Sequence, residues 1–142
     1  MEKITEQNLK IIENNIPYAY ITKSEIHGFG LFSLKEIEND SILVTLDGQY
    51  IKDEELQKLD IDLLNIEYNY IPSINSWLVR GFLTEYSAIN HSKEPNIQIF
   101  FNPLRIVAIK NIKKEEELFL DYSLTKFPEY FIDKYAVNTD YL

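Results

Sequence analysis

The first segment of this sequence with residue types suited to chemistry is a glycine-rich stretch, His27-Gly-Phe-Gly30. Two glycines that flank one residue allow positive φ angles and let a backbone approach a ligand closely. The stretch lacks the third glycine and the strand–helix context of a dinucleotide site. By itself it therefore favours a tight turn over a binding loop.

A second segment, Asn90-His-Ser-Lys-Glu-Pro-Asn96, gathers hydrogen-bonding side chains around a proline. Asparagine and serine satisfy local backbone groups, so a structured turn explains most of this segment. His91 is harder to explain in that way, because a histidine can also donate to or accept from a ligand amine or carboxylate. From this segment alone, a ligand site and a loop tied to a neighbouring strand are equally favoured.

The third segment is Glu117-Leu-Phe-Leu-Asp-Tyr122, a strand pattern that ends in Asp-Tyr. A strand of this kind places the phenol of Tyr122 at its exit, where a pocket can form. The chain has ten tyrosines, so composition does not distinguish this one from the others. A half-buried ring with a solvated hydroxyl is the usual state of any single tyrosine.

Short strands dominate the hydrophobic pattern of the elements that must position these segments. Period-two alternation with β-branched and aromatic residues predicts strands at 18–23, 41–46, 68–71, 76–79, 97–101, 104–109 and 117–122. The strand at 41–46 is predicted to be buried on both faces. The pattern as a whole predicts one domain that is mainly β with a few short helices.

Helices are predicted at three places. The clearest covers Asp53–Leu64, where Asp53 can cap the first turn and three leucines share a face, namely Leu56, Leu59 and Leu63. In the aromatic stretch 127–135, Pro128 stands where a helix can start. Spaced isoleucines within residues 1–16 are compatible with a short helix there.

The composition excludes several classes of function. Twenty-three acidic residues outnumber fourteen basic ones, and the net charge of −9 disfavours direct nucleic-acid binding and favours a lysine-rich partner. The absence of cysteine from the sequence excludes disulfides, cysteine-ligated zinc and thiol catalysis. With two histidines, no metal site is predicted. The strand-sized apolar stretches predict no membrane partner. The polar N-terminus and the absence of cysteine together predict a cytoplasmic protein, and they leave nuclear targeting or export as a secreted effector open.

Taken in order, the three segments resemble the SET domain of protein lysine methyltransferases. Residues 28–32 are similar to that family's Gly-x-Gly-Leu-Phe, residues 90–96 to its Asn-His-Ser-Cys-x-Pro-Asn, and residues 117–122 to its Glu-Leu-x-x-Asp-Tyr. The ordered set is specific, although each segment alone arises easily by chance. The resemblance runs from Tyr18 to Tyr122.

This resemblance implies a SET-domain (β-clip-like) fold of small curved sheets with a C-terminal pseudoknot. Residues 18–124 would be the SET domain, residues 1–17 an N-terminal extension, and residues 125–142 an aromatic tail that packs on the site.

The resemblance also implies an activity, a cofactor and a set of site residues. The activity is transfer of a methyl group from S-adenosylmethionine to a lysine side chain in a basic, histone-like protein or peptide. Tyr122 is the implied catalytic residue. Cofactor binding is implied for His27, Gly28, Phe29, Gly30, Asn90 and His91. Small SET domains can pair, so the resemblance is also compatible with a homodimer.

Four positions near the expected site depart from the family pattern. Lys93 stands in place of a cysteine and Leu46 in place of a tyrosine. Ser87 and Ala88 stand in place of an arginine and an aromatic residue. The departures at Leu46, Ser87 and Ala88 keep a second hypothesis open, that of a catalytically impaired SET-fold module which binds a basic protein partner.

Two turns of the sequence also look alike. Ile37–Leu43 and Ile112–Leu118 each place polar residues between an isoleucine and an apolar strand entry. Asp40 and Glu115 occupy positions where the family usually has glycine, and aspartate tolerates a left-handed turn better than glutamate does. Ordinary similarity between turns explains the pattern, so no internal repeat is inferred.

Overall fold

The computed structural model describes residues 4–60 and 65–135, and within these ranges the chain forms ten short strands and two α-helices. The strands are β1 Ala19–Lys23, β2 Phe29–Ser33, β3 Ile42–Thr45, β4 Gln49–Lys52, β5 Glu67–Ile71, β6 Ser76–Arg80, β7 Asn90–His91, β8 Ile97–Phe100, β9 Arg105–Ala108 and β10 Phe119–Leu120. The α-helices are α1 Asp53–Leu56 and α2 Glu129–Tyr135, and short 3-10 helices occur at Leu9–Ile11, Pro72–Ile74, Glu85–Ala88 and Tyr122–Leu124. The mainly β architecture predicted from the hydrophobic pattern is confirmed. Across the described ranges, no helix combines the length and apolar character needed to cross a membrane.

The described strands assemble into four small sheets. β1 pairs antiparallel with β2, β9 lies between β3 and β8, and β6 lies between β4 and β5. The fourth pair, β7 with β10, is parallel and joins residues 90–91 to residues 119–120. This pair brings two of the three chemically suggestive segments side by side.

Some strand predictions are wrong in detail. β3 is not buried on both faces, because it lies at the edge of its sheet and Ile42 is 59% exposed. The predicted strand at 117–122 is reduced to β10, although Glu117 forms an isolated bridge with Phe32. β2 and β4 were not predicted, because a glycine interrupts the apolar pattern of the first and the second is mostly exposed.

The predicted helix Asp53–Leu64 is much shorter than expected. α1 ends at Leu56, and a turn follows in which Leu59 is 47% exposed, so the two leucines do not share a buried face. Leu63 lies outside the described residues. In the C-terminal tail, α2 begins immediately after Pro128, as predicted.

Asp53 does not cap α1, contrary to the prediction. Lys52 occupies the N-cap position and makes no capping hydrogen bond with its side chain. The Asp53 carboxylate is buried and accepts a hydrogen bond from Trp77 Nε1 at 2.9 Å. A buried indole N–H requires an acceptor, and this requirement takes the carboxylate away from the helix end.

The N-terminal extension belongs to the main hydrophobic core. Ile4 and Ile16 are 4% and 3% exposed and pack in the same cluster as Leu31 of β2. Glu85, which is 1% exposed, holds the extension by accepting the Ile16 N–H at 2.8 Å. Burial raises the pKa of the Glu85 carboxyl, and the hydrogen bonds from backbone amides partly oppose this effect. Residues 1–16 contain a 3-10 helix at Leu9–Ile11 within their described part.

The two similar turns lie against each other. Ile37 and Ile112 form an antiparallel bridge with N–H···O distances of 2.9 and 2.8 Å in the two directions. Asp40 and Glu115 have φ angles of 72° and 70°, the left-handed conformation that favours glycine. Both turns therefore need the backbone geometry that the family's glycines would supply, and two acidic residues adopt it here.

Replacing Glu115 by glycine should stabilise the protein by about 1 kcal/mol, because glycine adopts this left-handed conformation without a Cβ clash. The greater freedom of glycine in the unfolded chain offsets part of the gain. Urea titration measures the free energy of unfolding. Lys114→Gly is the matched control, since the neighbouring residue does not have a positive φ and should lose stability. If the Glu115→Gly protein is no more stable than the wild type, the left-handed backbone conformation of Glu115 is not strained.

Candidate functional site

A cavity of about 810 Å³ brings the three sequence segments together. Five of the seven predicted site residues line it, namely His27, Phe29, Asn90, His91 and Tyr122. The other two, Gly28 and Gly30, form the backbone on either side of Phe29. The cavity has both aromatic and polar walls, which is typical of a site for a small organic ligand.

The glycine-rich stretch is a turn that runs into β2. Gly28 has a φ of 45°, and its carbonyl accepts a hydrogen bond from the Ser24 N–H at 2.8 Å, which closes the turn. Gly30 needs no special φ, but a Cβ there would lie 2.4 Å from Glu117 Oε2. The second glycine is thus explained by the close approach of a carboxylate.

Glu117 connects all three segments. Its half-buried carboxylate accepts hydrogen bonds from Ser24 Oγ at 2.7 Å and from Asn90 Nδ2 at 3.0 Å. This role of Glu117 was not predicted from the sequence, where Tyr122 at the other end of the same segment was the candidate residue. The available signal was an acidic side chain at the start of an apolar strand.

Asn90 uses its side-chain amide to hold the glycine-rich turn. Its Nδ2 donates to the carbonyls of His27 and Phe29 at 2.9 and 3.0 Å, in addition to Glu117. Of the two explanations that the sequence left open for this segment, the tie to a neighbouring strand is therefore present. The same residue also lines the cavity, so the two explanations are compatible.

His91 is held in its neutral form. Its Nδ1 accepts the Tyr122 N–H at 3.1 Å, which places the ring proton on Nε2. Burial lowers the pKa of His91, while Asp121, whose Oδ1 lies 3.8 Å from Nδ1, raises it and Lys93 lowers it further. The imidazole thereby positions the backbone of Tyr122 and lines the cavity without carrying charge.

Tyr122 is half-buried at the point where β10 ends. Its hydroxyl donates to the Ile89 carbonyl at 2.8 Å, which fixes the direction of the phenol proton. Asp121 caps the 3-10 helix that Tyr122 begins, accepting the Ser123 N–H at 3.0 Å. The hydrogen bond from the Ser123 hydroxyl is the main reason why the pKa of Asp121 is lowered.

The segment that carries Tyr122 is held on both sides. On one side the Leu118 N–H donates to the Leu31 carbonyl of β2 at 2.8 Å. On the other side the Ser92 N–H donates to the Leu120 carbonyl at 2.9 Å, and Asn96 Oδ1 accepts the Phe119 N–H at 2.8 Å. These are the contacts that a C-terminal segment threaded between β2 and the 90–96 loop must make.

The residues that depart from the family pattern each make contacts that the structure shows. Ser87 lines the cavity and donates to Glu67 Oε2 at 2.6 Å, so a small hydroxyl meets this buried carboxylate where the family has an arginine. Lys93 Nζ donates to Ser123 Oγ at 2.7 Å and thus links the 90–96 loop to the segment after β10. Leu46 packs beside a core cluster and Ala88 is buried.

The C-terminal tail contributes part of the cavity wall. Thr125, Lys126 and Phe127 line it, whereas residues 136–142 lie outside the described part of the chain. Among the described residues, no group of three or more histidine, aspartate or glutamate side chains is arranged to hold a metal ion.

Comparison with known proteins gives consistent results. The family model for the SET domain matches residues 28–123. The histone-lysine N-methyltransferase MEDEA of Arabidopsis thaliana is 28% identical over 131 residues, which cover 86% of this chain and 18% of MEDEA. Apo ctPRC2, the Polycomb Repressive Complex 2 of Chaetomium thermophilum with two mutations in Ezh2, is similar at 26% identity and a TM-score of 0.60, covering 82% of this chain and 16% of that one.

A ctPRC2 structure bound to S-adenosylmethionine has the same TM-score of 0.60 at 23% identity, covers 89% of this chain and 17% of the other, and shows likeness of fold alone. This chain therefore spans less than a fifth of the length of these relatives. The SET fold predicted from the ordered segments is confirmed.

Replacing Gly30 by alanine should destabilise the protein by about 1–3 kcal/mol, because the new methyl group displaces the Glu117 carboxylate from Ser24 and Asn90. Gly81→Ala is the matched control, since a Cβ at Gly81 meets nothing within 4 Å. Thermal and urea unfolding measure both variants. If the two substitutions cost the same, the tight contact at Gly30 is not real.

Acidification should weaken the fold through His91. Because its pKa is lowered in the folded protein, the unfolded chain binds this proton more tightly, and the free energy of unfolding falls as pH drops from about 6.5 through the folded pKa. Proton NMR should show the Tyr122 amide shifting together with the His91 titration, and His91→Gln should remove that shift. If the Tyr122 amide resonance does not shift while His91 titrates, the hydrogen bond from the Tyr122 N–H to His91 Nδ1 is contradicted.

Proposed function

Because the chain belongs to the SET domain family, whose matched relatives include a histone-lysine methyltransferase, we propose that it transfers a methyl group from S-adenosylmethionine to a lysine side chain of a protein. The observation that carries the proposal is the single cavity lined by the glycine-rich turn, by Asn90 and His91, and by Tyr122. A transferase needs its cofactor site and its reacting amine to meet in such a space.

The residues around the turn fit the proposed cofactor. The turn forms one wall of the cavity through His27 and Phe29, and its shape depends on the positive φ of Gly28. Asn90 and His91 stand next to this wall, and the volume of about 810 Å³ lies in the range of small-molecule sites. When bound, S-adenosylmethionine supplies an electrophilic methyl group on a cationic sulfur.

Tyr122 acts by orientation. Its hydroxyl proton is directed to the Ile89 carbonyl, and this bond fixes the position of the phenol oxygen against which an incoming amine would be oriented. His91 holds the Tyr122 backbone in place through Nδ1, and for that reason Nδ1 is not a free base. Nothing in this arrangement requires a covalent enzyme intermediate.

The substrate amine must be neutral to react. A lysine has an ordinary pKa of about 10.4, and a largely apolar cavity lowers it because the charged form loses hydration. A nearby cationic sulfur lowers it further by like-charge repulsion. The amine would give its proton to solvent on entering. In an in-line displacement its nitrogen would then bond to the methyl carbon while the bond from that carbon to sulfur breaks, and the sulfur would leave as a neutral thioether.

A basic protein is the proposed class of substrate. The chain carries a net charge of −9, which attracts lysine-rich sequences and speeds their association at low salt. The name of the relative MEDEA supports histones as the first candidates.

The second candidate function is a SET-fold module that binds a basic partner without catalysis. Ser87 favours it, because the hydroxyl bonded to Glu67 stands beside the cavity where the family has an arginine. The two candidates differ in cofactor affinity and turnover, which are separately measurable.

Calorimetry with S-adenosylmethionine, followed by incubation of labelled cofactor with histones and other basic proteins, tests the proposal. We expect heat of binding, thermal stabilisation by the cofactor and label on lysine. Binding without transfer to any basic protein contradicts the proposed methyl transfer. The absence of heat, of thermal stabilisation and of transfer contradicts it as well and favours the module without catalysis.

Tyr122→Phe should lower the turnover about 100-fold and leave the affinity for S-adenosylmethionine nearly unchanged, because it removes the oxygen that orients the amine. Tyr50→Phe is the matched control, since Tyr50 lies on β4 and is 62% exposed. Single-turnover kinetics measure the step directly. Equal rates for Tyr122→Phe and the wild type would rule out this role for the phenol.

A further inference from the structure

The tail that lines the cavity is anchored on a different part of the molecule. Phe127 lines the cavity and stacks on Trp77 of β6, with ring centroids 5.8 Å apart and an interplanar angle of 18°. Phe131 of α2 packs on both rings, with centroids 5.3 Å from Phe127 and 4.6 Å from Trp77. Phe131 is 1% exposed and Trp77 is fully buried, so the tail contributes to a true core.

One buried carboxylate completes this anchor. Asp53 Oδ1 accepts hydrogen bonds from Trp77 Nε1 at 2.9 Å and from the Tyr130 hydroxyl. Its Oδ2 accepts from Gln57 Nε2 at 3.0 Å. Asp53 thus bonds to β6, to the residue after α1 and to α2. We call Asp53, Trp77, Phe127, Tyr130 and Phe131 the C-terminal clasp.

The Asp53 carboxylate also acts on a neighbouring tyrosine. The Tyr70 ring is tilted by 53° against Trp77 with centroids 4.9 Å apart, and the pKa of Tyr70 is raised by burial and then by Asp53. Hydrogen bonds to a carboxylate are about twice as strong as those between neutral groups. The bond from Tyr130 is therefore a strong polar link between the tail and Asp53.

The position of Phe127 in the chain connects the clasp to the cavity wall. Tyr122 lies in the cavity at one end of a short connection, and Tyr130 is fixed to Asp53 at the other end. Phe127 lies between these two points and forms cavity wall. If the Tyr130 end loosens, Phe127 loses the polar anchor three residues away and keeps its packing contacts in the cluster, so the wall that it forms becomes less fixed.

We propose that Asp53 is a positioning residue for the cavity, which acts through Tyr130 to hold Phe127 as a wall of the ligand site. Docking of the tail and binding in the cavity are then linked equilibria. A ligand that binds only the docked form has an affinity reduced by the fraction of undocked tail, and it favours docking in return. The identity of the ligand, S-adenosylmethionine, rests on the proposed function.

Tyr130→Phe tests the clasp with a minimal change, since it removes only the hydroxyl. We expect the Kd for S-adenosylmethionine to rise about 3- to 10-fold, the effect of losing one charge-assisted hydrogen bond on a docking equilibrium. Tyr50→Phe, an exposed tyrosine of β4, is the matched control and should bind as the wild type does. Asp53→Asn keeps acceptor Oδ1 without the charge and should lie between wild type and Tyr130→Phe.

Trp77 provides a second readout, because it is the one tryptophan in the sequence. Acrylamide quenching of its fluorescence should be greater in Tyr130→Phe than in the wild type or Tyr50→Phe. Saturating S-adenosylmethionine should bring the quenching of Tyr130→Phe back towards the wild-type value. A merely structural role would lower the melting temperature without changing either the Kd or the response of Trp77 to the ligand.

The outcomes separate the two proposals. A wild-type protein that gives no heat with S-adenosylmethionine contradicts the proposed function, and the quenching of Trp77 without ligand still tests whether Tyr130 fixes the tail. A wild-type protein that binds, together with a Tyr130→Phe variant of unchanged Kd and unchanged quenching, overturns the positioning role of the clasp.

Discussion

A half-buried carboxylate with two side-chain donors organises the site of this protein. Glu117 accepts from Ser24 on the turn between β1 and β2 and from Asn90 on β7, while its own backbone belongs to the segment that leads to Tyr122. Asn90 in turn holds two carbonyls of the glycine-rich turn. Three segments that are remote in sequence thus meet at one anion, and their spacing leaves no room for a Cβ at Gly30. The cavity walls take their positions from this arrangement.

Local pattern and ordered motifs were sufficient to predict the mainly β architecture, the SET fold and a set of residues that meet in one cavity. They were insufficient wherever a distant partner decided the outcome. Asp53 has the sequence signature of a helix cap, but its carboxylate accepts a hydrogen bond from Trp77, which lies 24 residues further along the chain. Helix α1 ends after four residues. Gly30 has the signature of a turn, but it lies in strand β2, where the approach of Glu117 leaves no room for a Cβ. Neither partner is visible in a window of local sequence.

Buried acids are a recurrent device in this chain. Asp53, Glu67 and Glu85 are 5%, 5% and 1% exposed, and each is met by hydrogen-bond donors of the fold. Glu67 accepts from the backbone and hydroxyl of Thr84 and from Ser87, and Glu85 accepts from the amide of Ile16. Donors of this kind compensate a buried carboxylate for the hydration that it loses. Part of the excess of acidic residues in the composition therefore lies in the interior of the fold.

The long sequence separations at the Glu117 anchor also bear on the order of folding. Glu117 meets Ser24 across 93 positions and Asn90 across 27, and β10 pairs in parallel with β7. Closing such loops costs entropy before the contacts form, so pairings of this kind tend to appear late. During synthesis, the glycine-rich turn and the 90–96 loop leave the ribosome well before the strand that joins them. The ligand cavity is therefore one of the last features of the molecule to form, and a nascent chain that ends before Tyr122 has sheets without a site.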